Sequence, residues 1–584
     1  MLALPALLLS ATLLGGVAAA SPSVKLGKAT VVGTSDGVVS QFLGIPYAQP
    51  PVGQLRLQLP MAVESYNGTL NATTFGNQCM QQSLAVPTLP DNVPPAIPAT
   101  LSALVSVEMQ GPPQSEDCLN LNVIAPAGAK STSKLPVVFW IHGGGFQVGS
   151  NAVEPGEVVV NRSIAIGEPI IFVATNYRLS AFGFLGGSEI KNAGLGNLGL
   201  HDQRLALEWV QSHIAAFGGD PAKVTIWGES AGSISVAAHM IANDGSTGGL
   251  FRAAWMESGS AFPSGDITKV QPTFDFITSQ VNCTSASDKI ACLRTVSTDD
   301  IKAAMDQTPT VISFEALNIP YWPHADGVFL KDNPQKLVQQ GSVAKVPFVA
   351  GSNEDEGTLF SLSTLNLNST KDFAGYLKGN YFPDASDETI DTLMSHYPED
   401  PSAGSPFDTG DDFEITTVYK RMAAFQGDLI FQAPRRFFLS ERSAKQPAWS
   451  FCKHPLSIGT RAHYANTVIP TIVSQRNKIP GLGAVSNIHR KHSFLPADHC
   501  DRPQIHSSEL SVIFGGQDMT DYLVRFVTTL NPNGLGQYFW PNYFPNYTQL
   551  LTFVDGDTPL QIIMDDFRQN ATDFLTQLSL EQPI

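Results

Sequence analysis

The sequence predicts an α/β fold, and three stretches carry that prediction. In FGGDPAKVTIWGESAGSISVAAHMIA (217–242), a β-rich run at Val224–Trp227 meets Gly228-Glu229-Ser230-Ala231-Gly232, and small residues then lead into a helix. In LPVVFWIHGGGFQVGS (135–150), an apolar run with the pattern of a buried strand stops at three consecutive glycines. In VPFVAGSNEDEGTLF (346–360), a strand over 346–351 ends just before three acids, Glu354, Asp355 and Glu356. Short apolar runs bounded by glycine, one of them feeding a helix, are the pattern of buried strands in an α/β sheet.

The pentapeptide around Ser230 has the form G-x-S-x-G in a strand–turn–helix context. Such a turn is strained, and its two chains approach too closely for side chains, which is why glycines flank the serine. It lifts the Ser230 hydroxyl to the edge of the sheet, where a base can reach it. A plain glycine-rich turn would lack the strand before and the helix after. The glycines at 143–145 leave backbone N–H groups free to converge on one oxygen. Gly144 and Gly145, with the N–H of Ala231 just after the serine, are the candidate donors of an oxyanion hole. A phosphate-binding loop would continue into Lys-Ser/Thr, and none follows.

Composition bounds what surrounds this chemistry. The chain has 584 residues, 43% hydrophobic and 15% charged, as expected of a globular protein that buries a large core. A net charge of −17 argues against nucleic acid, whose phosphates demand a basic face. MLALPALLLSATLLGGVAAA (1–20) is apolar and ends in small residues, the pattern of a signal peptide. Residues 21–584 are expected to form one secreted catalytic domain. No other stretch is long and apolar enough to cross a membrane. Sequons at Asn67, Asn71, Asn161, Asn282, Asn368, Asn546 and Asn570 are candidate glycan sites in such a protein. Six cysteines suit an oxidising compartment.

FLGIPYAQPPVGQLRL (42–57), SEDCLNLNV (115–123), HGGGF, NYRLSAFGFL (176–185), the Ser230 block and GSNEDEGTLF (351–360) together resemble the type-B carboxylesterase/lipase family. CMQQ (79–82) and YPEDPSAGSPFDTG (397–410) are similar to its secreted fungal lipases. The resemblance implies an α/β-hydrolase fold: a large, mostly parallel central sheet flanked by helices, with a disulfide-tethered lid. It implies a Ser–Glu–His triad in that chain order. The family's D-E-G-T pattern falls on Glu356, leaving Glu354 as a solvated acidic turn. Glu229 is expected to be a supporting carboxylate that its place in the elbow aims away from the histidine.

IHSSELSVIFGG (505–516) resembles the family block that holds the triad histidine, which assigns His506. His489, His492 and His499 crowd the same region without a family counterpart. Nothing there has the helical face that would array zinc ligands, so no metal is expected. The implied chemistry needs no cofactor.

Cys79 and Cys118 bracket the stretch that is the lid in fungal relatives, about 79–118, and are expected to be bridged, as are Cys283 and Cys292. The lid is rich in Ala, Leu, Val and Pro and has no Lys, Arg, Trp, Tyr or Phe. An apolar flap of this kind can settle on a lipid surface. The missing aromatic disfavours choline esters, which relatives hold by cation–π contact. A lipid ester is thus the expected substrate, with transient contact to a lipid interface. The alternatives are a short-chain or aromatic-ester esterase and, less in keeping with the retained Ser230, Glu356 and HGGGF, an inactive adhesion homologue.

Two stretches, about 452–472 and 485–504, lack family resemblance and separate Trp449-Ser450-Phe451 from His506. Their codons can spell in-frame intron donors, branch points and acceptors. We read them as retained introns in preference to a surface insertion closed by a Cys452–Cys500 bridge.

Overall fold

The computed structural model describes residues 21–584 except 86, 88, 90–92, 94–110, 455–503 and 555–559. The expected signal peptide, most of the lid, most of both atypical stretches, and His489, His492, His499 and Cys500 lie outside the described residues.

The strands, in chain order, begin with β1 (Ser23–Leu26), β2 (Lys28–Val32), β3 (Thr34–Ser35), β4 (Val39–Pro46) and β5 (Asn67–Asn71). Then come β6 (Asn120–Pro126), β7 (Leu135–Ile141), β8 (Ile171–Thr175), β9 (Gly219–Glu229) and β10 (Ala253–Glu257). The last are β11 (Phe348–Asn353), β12 (Ala448–His454), β13 (Gln549–Val554) and β14 (Leu560–Met564). β1, β2 and β5 form a small sheet, and the others form one large sheet in the order β14-β13-β12-β11-β10-β9-β7-β8-β6-β4-β3. From β13 to β8 every pairing is parallel, and antiparallel strands close both edges.

The central strands are apolar almost throughout because helices cover both faces. β8 and β10 are buried at every position, as parallel strands covered on two sides must be. One face carries large rings in register, Trp140 on β7 beside Trp227 on β9, then Trp255 on β10, with the aliphatic Val349 on β11 between it and Trp449 on β12. The helix Asp518–Thr529 packs its Tyr522 and Phe526 against this row. The helix Ala231–Gly245, which follows Ser230, covers the opposite face with Val236, Met240 and Ile241.

β11 starts and ends two residues later than the apolar run alone indicates. Ser352 and Asn353 extend it because Gln432 satisfies both: it accepts from the Ser352 hydroxyl at 2.9 Å and donates to the Asn353 carbonyl at 2.8 Å. β12 likewise runs three residues into the stretch marked atypical from 452, with Cys452 paired to Ser352 on one side and Thr552 on the other. Cys452 is buried and, among the described residues, has no disulfide partner.

Candidate active site

β9 delivers Ser230 at its carboxyl end. The serine adopts φ 54°, ψ −123°, a conformation imposed by the crossing of the chain with the end of β7. A Cβ on Gly232 would stand 2.0 Å from the Ile141 carbonyl, and one on Gly228 would stand 2.4 Å from the Gly232 backbone. Both glycines are therefore steric requirements. The Ser230 N–H donates to the Glu257 carbonyl at 2.9 Å, which fixes the turn to the end of β10.

The structure brings the three candidate triad residues together. His506 Nε2 lies 2.8 Å from Ser230 Oγ, and His506 Nδ1 lies 2.6 Å from Glu356 Oε2. Glu356 is fully buried, and its second oxygen accepts the Asn353 N–H at 2.7 Å. Phe360 and Phe431 pack on the imidazole, with centroids 5.1 and 4.7 Å away.

The acid next to Glu356 has a different task. Asp355 accepts the Gln504 N–H at 3.0 Å and the Phe407 N–H at 2.8 Å, so it pins the chain just before His506. Glu354 is buried, not the solvated turn residue expected, and burial lifts its carboxyl to about 8. Sequence reasoning missed the role of Asp355, because the backbone groups it holds lie 52 and 149 residues away.

Glu229 also departs from expectation. Its Oε1 lies 3.4 Å from His506 Nε2 and accepts the Ser507 hydroxyl at 2.6 Å, so it faces the imidazole. The elbow turns the serine sharply enough that the preceding side chain lies beside it. Burial raises the Glu229 carboxyl to about 8, leaving it mostly protonated near neutrality. Burial acts on His506 in the opposite sense, but the charge and hydrogen bond of Glu356 outweigh it and lift the imidazole to about 9. A general base must be neutral to accept a proton, and a raised pKa moves the neutral form to higher pH. The kcat/KM profile is therefore expected to rise with pH along a limb whose midpoint lies above the ordinary histidine value. Glu229 ionises below the pH of that limb, so a Glu229→Gln change removes a carboxylate that is charged there and should move the limb toward acid. A limb centred at or below pH 6.5, the ordinary histidine value, would contradict this picture.

The glycine loop sits against the elbow. Gly144 and Gly145 have φ 101° and 61°. A Cβ on Gly144 would meet the Val148 carbonyl at 2.2 Å, and one on Gly145 would meet Val311 at 2.5 Å. Among the described residues, neither N–H donates to a protein acceptor, and Ala231 follows Ser230 directly. His142 beneath the loop stacks on Tyr177 at 4.4 Å, and burial depresses it to about 4, so it stays uncharged. Gln147 ties the loop to the base of the lid: it donates to Gln82 at 2.7 Å and accepts the Val311 N–H at 2.9 Å.

Behind the triad lies a set of buried acids that sequence reasoning left without a role. Glu257 accepts from the indoles of Trp227 and Trp255 at 2.6 and 2.7 Å. Glu509 accepts from the Ser258 hydroxyl at 2.7 Å and from the Asn353 amide. Burial, then the charge of a neighbouring glutamate, pushes both carboxyls up. The only sequence signal was the acid three residues after His506.

Cys79–Cys118 and Cys283–Cys292 are disulfides. Among the described residues, no group of three His, Cys, Asp or Glu side chains is placed to hold a metal ion, and no helix is long and apolar enough to cross a membrane.

A serine on a strand-to-helix elbow, hydrogen-bonded to a histidine–carboxylate pair above a parallel sheet, is the arrangement of the α/β-hydrolase class. The model of the Carboxylesterase family matches residues 20–574. The chain belongs to that family and is a carboxylic-ester hydrolase. It is 43% identical to Lipase 4 of Diutina rugosa over 472 residues, which cover 78% of this chain and 84% of that one. It is 36% identical to the Secreted triacylglycerol lipase LIP1 of Gibberella zeae over 576 residues, 95% and 90% of the two chains. The crystal structure of Aspergillus niger EstA superposes with a TM-score of 0.75 at 26% identity, covering 97% of this chain and 99% of that one.

Proposed function

We propose that Ser230 attacks the ester carbonyl as His506 takes its proton, and that Glu356 fixes the imidazole tautomer and stabilises its charge. The N–H groups of Gly144, Gly145 and Ala231 hold the tetrahedral oxyanion, each essential donor being worth about 3–4 kcal/mol. His506 then protonates the leaving alkoxide, and water repeats the cycle on the acyl-enzyme. The observation that carries this reading is the unbroken hydrogen-bonded chain from Ser230 Oγ through His506 to Glu356.

The proposed substrate is a lipid ester met outside the cell, at an interface. The relatives named as lipases support it, as does the apolar composition of the lid that Cys79–Cys118 tethers. A cavity of about 400 Å³ opens between the lid base at Ala85 and Pro87 and the segment carrying Ile312 and Phe314; Asp306 and Gln307 are also on its wall, so an acyl chain would lie along its apolar side. The cavity lies next to Val311, which touches the glycine loop. A series of p-nitrophenyl esters of rising chain length tests this. On the long esters the rate should jump as concentration passes the solubility limit. A smooth saturation curve through that limit would favour an esterase of small soluble substrates.

A further inference from the structure

Far from the active site, the structure exposes aromatic side chains that a soluble protein ordinarily covers. Tyr538, Phe539, Phe544 and Tyr547 are 48, 69, 50 and 56% exposed, and Leu535 is fully exposed. All lie in the segment between the helix Asp518–Thr529 and β13. That segment is anchored at the amino-terminal edge of the large sheet: the Tyr543 N–H donates to the carbonyl of Ala448, the first residue of β12, at 2.8 Å. Ser230 and the triad acid stand at the carboxyl ends of β9 and β11, the opposite edge.

Within this segment Phe544 and Tyr547 exchange backbone hydrogen bonds of 3.3 and 2.9 Å, making a tight hairpin with Pro545-Asn546 at its tip. Asn546-Tyr547-Thr548 is a sequon, and Asn546 is exposed. The other sequons differ. Asn161 and Asn570 lie on helices, and the hydroxyl residues of their sequons, Ser163 and Thr572, are buried. Of the rest, Asn71 has one exposed ring close by in sequence, Phe75, where Asn546 has several.

We propose that Asn546 is an N-glycosylation site and that the first sugar packs its apolar face on the Phe544 ring, covering the patch. The local chemistry of the hairpin points this way. The hairpin tip presents the Asn546 amide clear of the fold, with aromatic rings on both flanks. A pyranose offers one face of C–H groups that complements such a ring, while its hydroxyls face water. An uncovered aromatic patch promotes association, and a bulky polar glycan removes that liability. At this edge of the sheet the glycan leaves the ester site open.

The proposal rests on the reading that the protein is secreted, and its test separates the two. Protein secreted from a eukaryotic host is treated in heavy-oxygen water with a glycan-releasing amidase, which hydrolyses the side-chain amide of each glycan-bearing asparagine, releases the glycan as its glycosylamine and leaves a labelled aspartate. Labelled aspartate at 546 is expected. An unlabelled Asn546 beside any other labelled sequon overturns the site while leaving secretion intact. A chain that is retained in the cell and labelled nowhere overturns secretion, and the site with it. Thr548→Ala, or Asn546→Gln should the first fail to fold, should abolish the label at 546 and increase binding of an apolar dye, with hydrolysis within about twofold of the parent. Phe544→Ala should lower occupancy at Asn546 several-fold. Occupancy unchanged by that substitution would overturn the stacking.

Discussion

Ser230→Ala is expected to abolish ester hydrolysis with the fold intact. Alanine keeps the Cβ that the elbow accommodates at φ 54° and removes only the oxygen 2.8 Å from His506 Nε2. The Ser230 N–H still bonds the Glu257 carbonyl, and His506 still bonds Glu356, so the turn and the imidazole keep their anchors. Loss of the nucleophile alone costs about 10⁶ in kcat in a serine hydrolase where it has been measured. The variant should release no burst of alcohol product, and its unfolding transition should match the parent's. Turnover within about tenfold of the parent would remove Ser230 from the mechanism.

Glu356→Gln is expected to cost about 10⁴ in kcat, the scale seen when a triad carboxylate becomes an amide. The amide can still fill the space and accept the Asn353 N–H. To meet a neutral His506 it must donate to Nδ1, which puts the imidazole proton on Nε2 and leaves nothing to accept the proton of Ser230. The matched control is Glu354→Gln, which touches neither His506 nor Ser230 and should keep the rate within about tenfold. A large loss in that control with a small one at Glu356 would mean that the acid has been misassigned.

The parts of this site that were legible in the sequence are those set by local backbone geometry. The glycines around Ser230 and the run at 143–145 announce themselves because close chain crossing and positive φ admit little else. The strand before each was readable because burial on two faces leaves only apolar residues. Glu356 was singled out through the resemblance, since three adjacent acids offer no local distinction. What remained illegible is tertiary. Asp355 and Glu356 look alike in sequence, yet one pins a chain and the other holds a ring, because a strand end aims successive side chains in different directions. Glu354 was misjudged because charge in a sequence suggests solvent, and only the surrounding layers reveal burial; Glu229 was misjudged because the direction in which the elbow aims its side chain is set by the tertiary turn. Phe360 and Phe431, which wedge the imidazole, come from segments that no short-range pattern connects to His506.

The row of rings on the large sheet has an optical consequence. Trp140 and Trp227 have centroids 4.4 Å apart, and Trp227 and Trp255 share one carboxylate oxygen at the very strand ends that carry the nucleophile and its anchor. Indoles so close and so fixed in mutual angle couple their transitions, and that coupling decays with any slip between β7, β9 and β10. The near-ultraviolet dichroism of the intact protein is thus a gauge of strand register directly beneath Ser230, read without substrate. It reports on the elbow in variants whose chemistry is already silent.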